Sequence, residues 1–280
     1  MDTAKSPEFN QPVDIEIQVE GLHKAFGDHQ VLQGVDLEIR RGGVVAIVGG
    51  SGCGKTVLMD HILGQLVPDA GRVRVADYTR DEAPLVDIAN LHEMELNAIH
   101  THWGVVFQKN ALFSGTVYDN IELWLKEVKE LDDKEIEQIA LDVLKAVALP
   151  TDAKFMHTDI ESLSGGMAKR LAIARALSMD PKVIIYDEPT TGLDPTSATQ
   201  VQDLVLATHF KRGVDNPNRT TVIITHDKDL LSRLHPQIVM LHNGRVSFDG
   251  AFAEFEDSPS PIIRPYFDLM PALHMRDPLI

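Results

Sequence analysis

Gly49-Gly50-Ser51-Gly52-Cys53-Gly54-Lys55-Thr56 fits the pattern of a phosphate-binding loop. Glycines at this density let successive backbone N–H groups turn inward around an anion, and a helix starting at the loop's end adds its positive dipole. Lys55 then reaches the terminal phosphates, and Thr56 supplies a hydroxyl to Mg²⁺. Val57 stands where a hydroxyl would add one more phosphate contact, an omission worth about 1 kcal/mol. Cys53, the only cysteine, lies among these donors beside Lys55. Its alkylation is expected to block nucleotide binding.

A second cluster of chemistry-bearing residues closes the run Lys182-Val183-Ile184-Ile185-Tyr186-Asp187-Glu188. A buried strand ending in two carboxylates places them at the C-terminal edge of an open sheet, beside the phosphate loop. Adjacent strand residues face opposite sides. Asp187 is therefore expected to organise Mg²⁺ and its waters, and Glu188 to face the attacking water. Phosphoryl transfer needs positioning and charge neutralisation more than covalent chemistry, so a lysine, a metal and a water-polarising base form a sufficient set. His100-Thr101-His102 offers two imidazoles without a further ligand at metal spacing. These are read as surface or strand-edge histidines.

The elements that must position these groups are visible as hydrophobic periods. Val44 to Val48, Val183 to Tyr186 and Thr221 to Thr225 are continuous β-branched runs, as expected of strands covered on both faces. Long helical stretches separate them, which indicates a parallel sheet with crossover helices. Val13, Ile15, Ile17 and Val19, and again Val35, Leu37 and Ile39, alternate with polar residues and predict half-buried strands. Between about 109 and 178 the pattern is helical: Ile136, Ile139, Ala140, Val143, Leu144 and Val147 recur at helical spacing behind a capping box at Asp132 and Glu135. Ile238 to Leu241 and Val246 to Phe248 flank Asn243-Gly244, the signal of a tight hairpin.

Length and composition bound the function. A chain of 280 residues holds one large α/β domain or two small ones. Its 26 basic and 42 acidic residues leave a net charge of −16, which argues against a nucleic-acid partner. No apolar stretch approaches the roughly 18 to 20 residues of a membrane span. Met1 to Asp14 lacks the basic-then-apolar order of a secretory leader, and a single cysteine excludes an intrachain disulfide. The expectation is a soluble cytoplasmic protein.

Leu163-Ser164-Gly165-Gly166-Met167, ahead of Asp187, resembles the signature motif of ATP-binding cassette (ABC) ATPases. The family's other landmarks follow in order: Phe26 matches the aromatic that stacks on adenine, Gln108 the Q-loop, Gly192-Leu193-Asp194 the D-loop, and His226 the switch histidine. Ser164 is placed to cap a helix beginning at Gly165, whose bare N–H groups form an anion site. Met167 stands in place of the usual glutamine. Leu163 to Met167 followed by Ala168-Lys169-Arg170 is similar to the ATPases of Mla-type phospholipid transporters, as are Phe107 to Ile121 and the stretch from Asp257 to Phe267.

The resemblance implies an α/β P-loop NTPase of ABC type, with a RecA-like parallel-sheet core, an antiparallel β subdomain and a helical signature subdomain. Residues 1–12 form an N-terminal tail, 13–250 the ATPase domain with its helical subdomain at about 109–178, and 251–280 a C-terminal extension. It implies ATP and Mg²⁺ as ligands. The nucleotide is held by Phe26, Gly49 to Val57, Ser164, Gly165, Gly166 and Asp194, and the metal by Thr56, Gln108 and Asp187. Glu188, His226, Gln108 and Lys55 carry catalysis. With one copy of each motif, two chains must sandwich two nucleotides. An integral-membrane permease docks in a groove beside the Q-loop, lined by Phe113, Tyr118 and Trp124, and a lipid-transfer protein is a further partner. The chain then sits peripherally on the cytoplasmic face of the inner membrane. The alternatives are another ABC importer or exporter, or a non-transport ABC ATPase acting on DNA or ribosomes.

Overall fold

The computed structural model describes residues 14–210 and 219–271. Val13, the whole of the expected N-terminal tail at 1–12 and the end of the C-terminal extension lie outside them. Four antiparallel strands, β1 (Ile15–Phe26), β2 (His29–Arg40), β4 (Ala70–Ala76) and β5 (Leu85–Asp87), form a sheet in the order β2-β1-β4-β5. Their alternating residues turn one face inward: Ile17, Val19, Val35, Leu37 and Ile39 are buried. Glu16 breaks the alternation. It is fully buried where the β1–β2 register slips, and Tyr78 Oη (2.7 Å) and Thr220 Oγ1 (3.2 Å) donate to its Oε2.

The second sheet has the order β10-β9-β3-β8-β7-β6. Strands β3 (Val44–Val48), β6 (Trp103–Val106), β7 (Val183–Asp187), β8 (Thr220–Ile224) and β9 (Gln237–His242) run parallel, and β10 (Arg245–Ala251) pairs antiparallel with β9. Both faces are covered, which is why the sequence runs are continuous. Val45 and Ile47 face the first sheet across helix α1 (Lys55–Ile62), while Ala46 and Val48 face a separate cluster on the other side. The structure adds β6 and β9 to the three parallel strands expected. β6 has four residues, one of them Gly104, too short for a period to register. β9 read as one arm of a hairpin because Asn243 and Gly244 (φ 48° and 73°) make that turn, but its other edge pairs with β3.

The remaining helices are α2 (Glu93–His100), α3 (Val117–Glu127), α4 (Asp133–Ala146), α5 (Ala153–Met156), α6 (Gly165–Ser178), α7 (Pro195–Phe210), α8 (Lys228–Leu234), α9 (Phe252–Glu256) and α10 (Ile263–Leu269). Asp132 accepts from the backbone of Lys134 and Glu135 and caps α4, and Thr116 caps α3 in the same way with Asp119. Ile136, Ala140 and Leu144 of α4 pack with α3, α6 and α7 onto Ile184, Tyr186 and Ile223 of the parallel sheet. Helices α9 and α10 cover the sheet elsewhere, where Phe252, Phe255, Ile263 and Phe267 meet Ala46, Val48, Ile238 and Met240.

Candidate active site

Because β3, β8 and β7 are neighbours in the parallel sheet, the segments leaving their C-terminal ends are brought side by side. After β3 the chain enters the glycine loop. Gly49 (φ 147°) and Gly54 (φ 104°) have the conformation of glycine and no room for anything larger: a Cβ would lie 2.4 Å from Leu241 O at the first and 2.7 Å from Leu32 Cδ2 at the second. Gly50 and Gly52 instead face open space, and with Ser51 they are exposed. Lys55 Nζ donates to Gly49 O (2.7 Å) and Gly50 O (3.1 Å), so its ammonium is already held inside the loop. Thr56 is exposed at the start of α1, whereas Val57 packs into the core between the sheets. Cys53 is half-buried with Sγ 4.0 Å from Lys55 Nζ.

After β7 come the two carboxylates. Asp187 is the last strand residue and Glu188 has a left-handed φ of 46°, its N–H bonded to Ile224 O of β8 (2.8 Å). The pleat of the strand therefore does not separate their side chains, as the sequence suggests; the turn at Glu188 does. Burial first, and then the charge of Glu188, push the Asp187 carboxyl above the usual range, opposed by Lys169 and the Gln108 N–H. Glu188 Oε2 lies 2.8 Å from His226 Nδ1 and accepts from Thr191 Oγ1 (3.0 Å). His226 follows β8, so carboxylate and imidazole meet across adjacent strand ends. Asp227, next in sequence, is buried, accepts from Thr190 and Gln202, and ties the segment before the D-loop to the switch segment.

Gln108 is exposed just beyond β6. What holds it is a residue that its charge hid: Lys169, 2% exposed in α6, donates to Phe107 O (2.9 Å) and Gln108 O (2.9 Å). The signal was in the helical phase, because Gly166, Lys169, Ile173 and Ala176 share the buried stripe of α6. Ser164 caps that helix through Met167 N (3.3 Å). A Cβ on Gly166 would lie 2.4 Å from Ser197 Oγ, so α6 and α7 require glycine there. Gly165 is exposed, and a Cβ there would meet nothing closer than 3.9 Å. Met167 is half-buried against the helical core. Asp194 precedes α7 and accepts from Ser197 N (3.0 Å); the Ser197 hydroxyl first, and then this N–H, hold its carboxyl below the ordinary range. Phe26 ends β1 with half its surface exposed.

Residues 32–191 match the model of the ABC transporter family. The chain belongs to that family. It is similar to the intermembrane phospholipid transport ATP-binding protein MlaF of Haemophilus influenzae, with 33% identity over 84% of this chain and 83% of the relative. It is equally similar, at 33% identity over 92% of this chain and 70% of the relative, to a probable ribonucleotide transport ATP-binding protein, mkl, of Mycobacterium leprae. Its fold is that of the ATP-binding cassette MJ0796 in a dimeric post-hydrolysis state bound to ADP and Pi, with a TM-score of 0.70 and 29% identity over 84% of this chain and 98% of that one. The protein is an ABC ATPase with the α/β P-loop fold.

Beside the Q-loop of this ABC ATPase lies a cavity of about 610 Å³ between α2, β6 and the helical layer. Trp124 lines it, as the sequence suggests, together with His100, Trp103, Phe107, Val128 and Arg175. Phe113 and Tyr118 do not. Phe113 sits outside it against the Arg175 guanidinium, 5.1 Å from the ring centroid, and Tyr118 packs on the helical core. His100 is likewise no surface group: its Nε2 is buried, its ring lies 5.6 Å from that of Trp103, and burial pulls its imidazole below the usual pKa.

Proposed function

We propose that this ABC ATPase is the motor of a membrane transporter in which two copies close around two ATP-Mg molecules and drive a separate permease that moves phospholipid. The observation that carries the hydrolytic half is the Glu188–His226 pair, 2.8 Å apart at strand ends neighbouring the phosphate loop. Glu188 polarises the attacking water, and His226 fixes the carboxylate and the terminal phosphate. Lys55 and the N–H groups of Gly50 to Thr56 hold the phosphates, the Gly49 N–H being taken by Tyr266 Oη, and Phe26 offers an exposed ring for the adenine. Thr56, Asp187 and Gln108 would hold Mg²⁺. This donor set, with one carboxylate, fits a cation that keeps waters and phosphate oxygens in its shell. When bound, the metal supplies neutralisation of phosphate charge.

The two-copy arrangement is supported by the single set of motifs, the exposed Gly165 end of α6 and the dimeric state of the MJ0796 cassette. A permease partner is supported by the cavity at Trp124, His100 and Arg175, and by the absence among the described residues of any helix long and apolar enough to cross a membrane. That partner places the chain on the cytoplasmic face of a membrane. Phospholipid as cargo is supported by Met167-Ala168-Lys169-Arg170 and the likeness to MlaF, and a lipid-transfer protein fits the same system. The equal identity to mkl favours a second reading, a nucleotide-like cargo. Purification of the complex with its permease, followed by mass spectrometry of the bound small molecules, separates them. Phospholipid recovered in proportion to permease supports the first reading, and ribonucleotide in its place supports the second.

A further inference from the structure

The C-terminal extension reaches the phosphate loop. Tyr266 of α10 accepts a hydrogen bond from Gly49 N–H at 3.0 Å, and its hydroxyl hydrogen points back toward Gly49 O at 3.4 Å. Gly49 is the residue at which the chain leaves β3, it is buried, and its carbonyl takes the Lys55 ammonium at 2.7 Å, nearer than that of Gly50 at 3.1 Å. One residue therefore carries the tyrosine on its N–H and the phosphate-seeking lysine on its carbonyl. Its N–H has no ladder partner after β3 ends, and a buried donor left unpaired is costly.

The ring that delivers this hydroxyl is fixed independently. Ile263 and Phe267 of the same helix are buried against Ala46 and Val48 of β3 and Ile238 and Met240 of β9. Lys228 Nζ lies 3.9 Å from the Phe267 ring centroid, and Lys228 N–H donates to Pro271 O (3.2 Å), two residues beyond the switch histidine. The extension thus touches both segments that flank the phosphates, the glycine loop through Tyr266 and the switch segment through Lys228. Burial, with the nearby Cys53 and Glu188, pushes the Tyr266 phenol up to about 12, so the hydroxyl stays protonated and both accepts and donates.

We propose that Tyr266 is a positioning residue of the nucleotide site: its hydroxyl fixes the Gly49 peptide, and through it the carbonyl that holds Lys55, so that the C-terminal extension sets the affinity for ATP. The inference rests on Gly49 to Thr56 being the phosphate site. It separates the tyrosine's hydroxyl, which acts on affinity, from its ring, which acts on packing.

The test is equilibrium binding of ATP-Mg to the full chain and to Tyr266→Phe, Tyr266→Ala and Lys55→Ala, alongside thermal unfolding and steady-state hydrolysis. Tyr266→Phe is expected to raise Kd and KM about fivefold, the weight of one neutral hydrogen bond, with kcat nearly unchanged and Tm lower by only about 2 °C for the unpaired Gly49 N–H. Tyr266→Ala is expected to lower Tm as well, but to raise Kd no further than Tyr266→Phe. Wild-type Kd in Tyr266→Phe, with binding lost in Lys55→Ala, overturns the inference and leaves the phosphate site standing. Kd values that follow Tm across the two tyrosine variants, not the missing hydroxyl, also overturn it. Wild-type affinity in Lys55→Ala overturns the phosphate site itself.

Discussion

In the proposed mechanism the glycine loop and the junction between Q-loop and signature helix both serve nucleotide phosphates, yet they are built in opposite ways. In the loop the contacts of the lysine are local: Lys55 reaches the carbonyls of Gly49 and Gly50, six and five residues back. In the junction Lys169 reaches Phe107 and Gln108 across 62 and 61 residues, and Arg175 reaches Ala111 across 64. The loop offers an anion backbone N–H groups that glycines leave free to turn. The junction holds backbone with cations, Lys169 buried and Arg175 half-buried. Binding and coupling are therefore separable, and a change in one region should leave the other's observable nearly intact.

The largest expected effect tests the loop. Lys55→Ala removes the one side-chain charge inside it and should abolish measurable ATP binding in a calorimetric titration. Next comes Glu188→Gln, which keeps the oxygen that His226 and Thr191 engage and removes the base. It should bind ATP with near-normal affinity and turn over at least about a hundredfold more slowly, the usual scale for a general base. Steady-state hydrolysis near the wild-type rate would show that Glu188 is not the base and that the chemistry lies elsewhere in the cluster.

The same contrast explains what could be read before any coordinates. Gly49 to Thr56, Ser164 to Gly166, and Asp187 with Glu188 carry their chemistry in contiguous residue types, and the strands that aim them are apolar runs covered on both faces. Lys169 escaped because its partners are main-chain carbonyls, which no residue type announces, and because lysine is seldom buried. Tyr266 escaped for the same reason, its partner being the peptide of Gly49. The separation of Asp187 from Glu188 was attributed to strand pleat, since a φ of 46° at a glutamate leaves no trace in sequence. The groove was traced to three aromatics, of which only Trp124 lines it, because the lining comes from α2, β6 and α6 at once.

Lys169→Met sharpens the comparison at intermediate size. It leaves the carbonyls of Phe107 and Gln108 without their buried donor and removes the cation that opposes the rise of the Asp187 pKa. Turnover is expected to fall about tenfold and Tm by about 5 °C, while ATP affinity, set by the intact loop, stays within about threefold. A loss of affinity like that of Lys55→Ala would erase the distinction between the two regions. Cys53 belongs to the loop by position, with Sγ 4.0 Å from the Lys55 ammonium. Complete alkylation is expected to lower ATP affinity at least about tenfold through the bulk added beside the phosphates, and unchanged affinity would place the thiol outside the binding surface.

The smallest effect serves as the control for both regions, because it concerns a buried charge that touches neither. Glu16 lies under the antiparallel sheet, and burial raises its carboxyl above the ordinary 4.5 despite hydrogen bonds from Tyr78 and Thr220. A carboxyl whose folded pKa is raised stabilises the fold below its unfolded value and loses that contribution as pH climbs through the folded one. Glu16→Gln mimics the protonated form, so it should raise Tm by about 1–3 °C at pH 8, with the gain vanishing near pH 4. Hydrolysis at neutral pH should be unaffected. If this substitution changed turnover as much as Lys169→Met does, the junction's sensitivity would be that of any buried polar group in the core, and Lys169 would have no special place between signature helix and Q-loop.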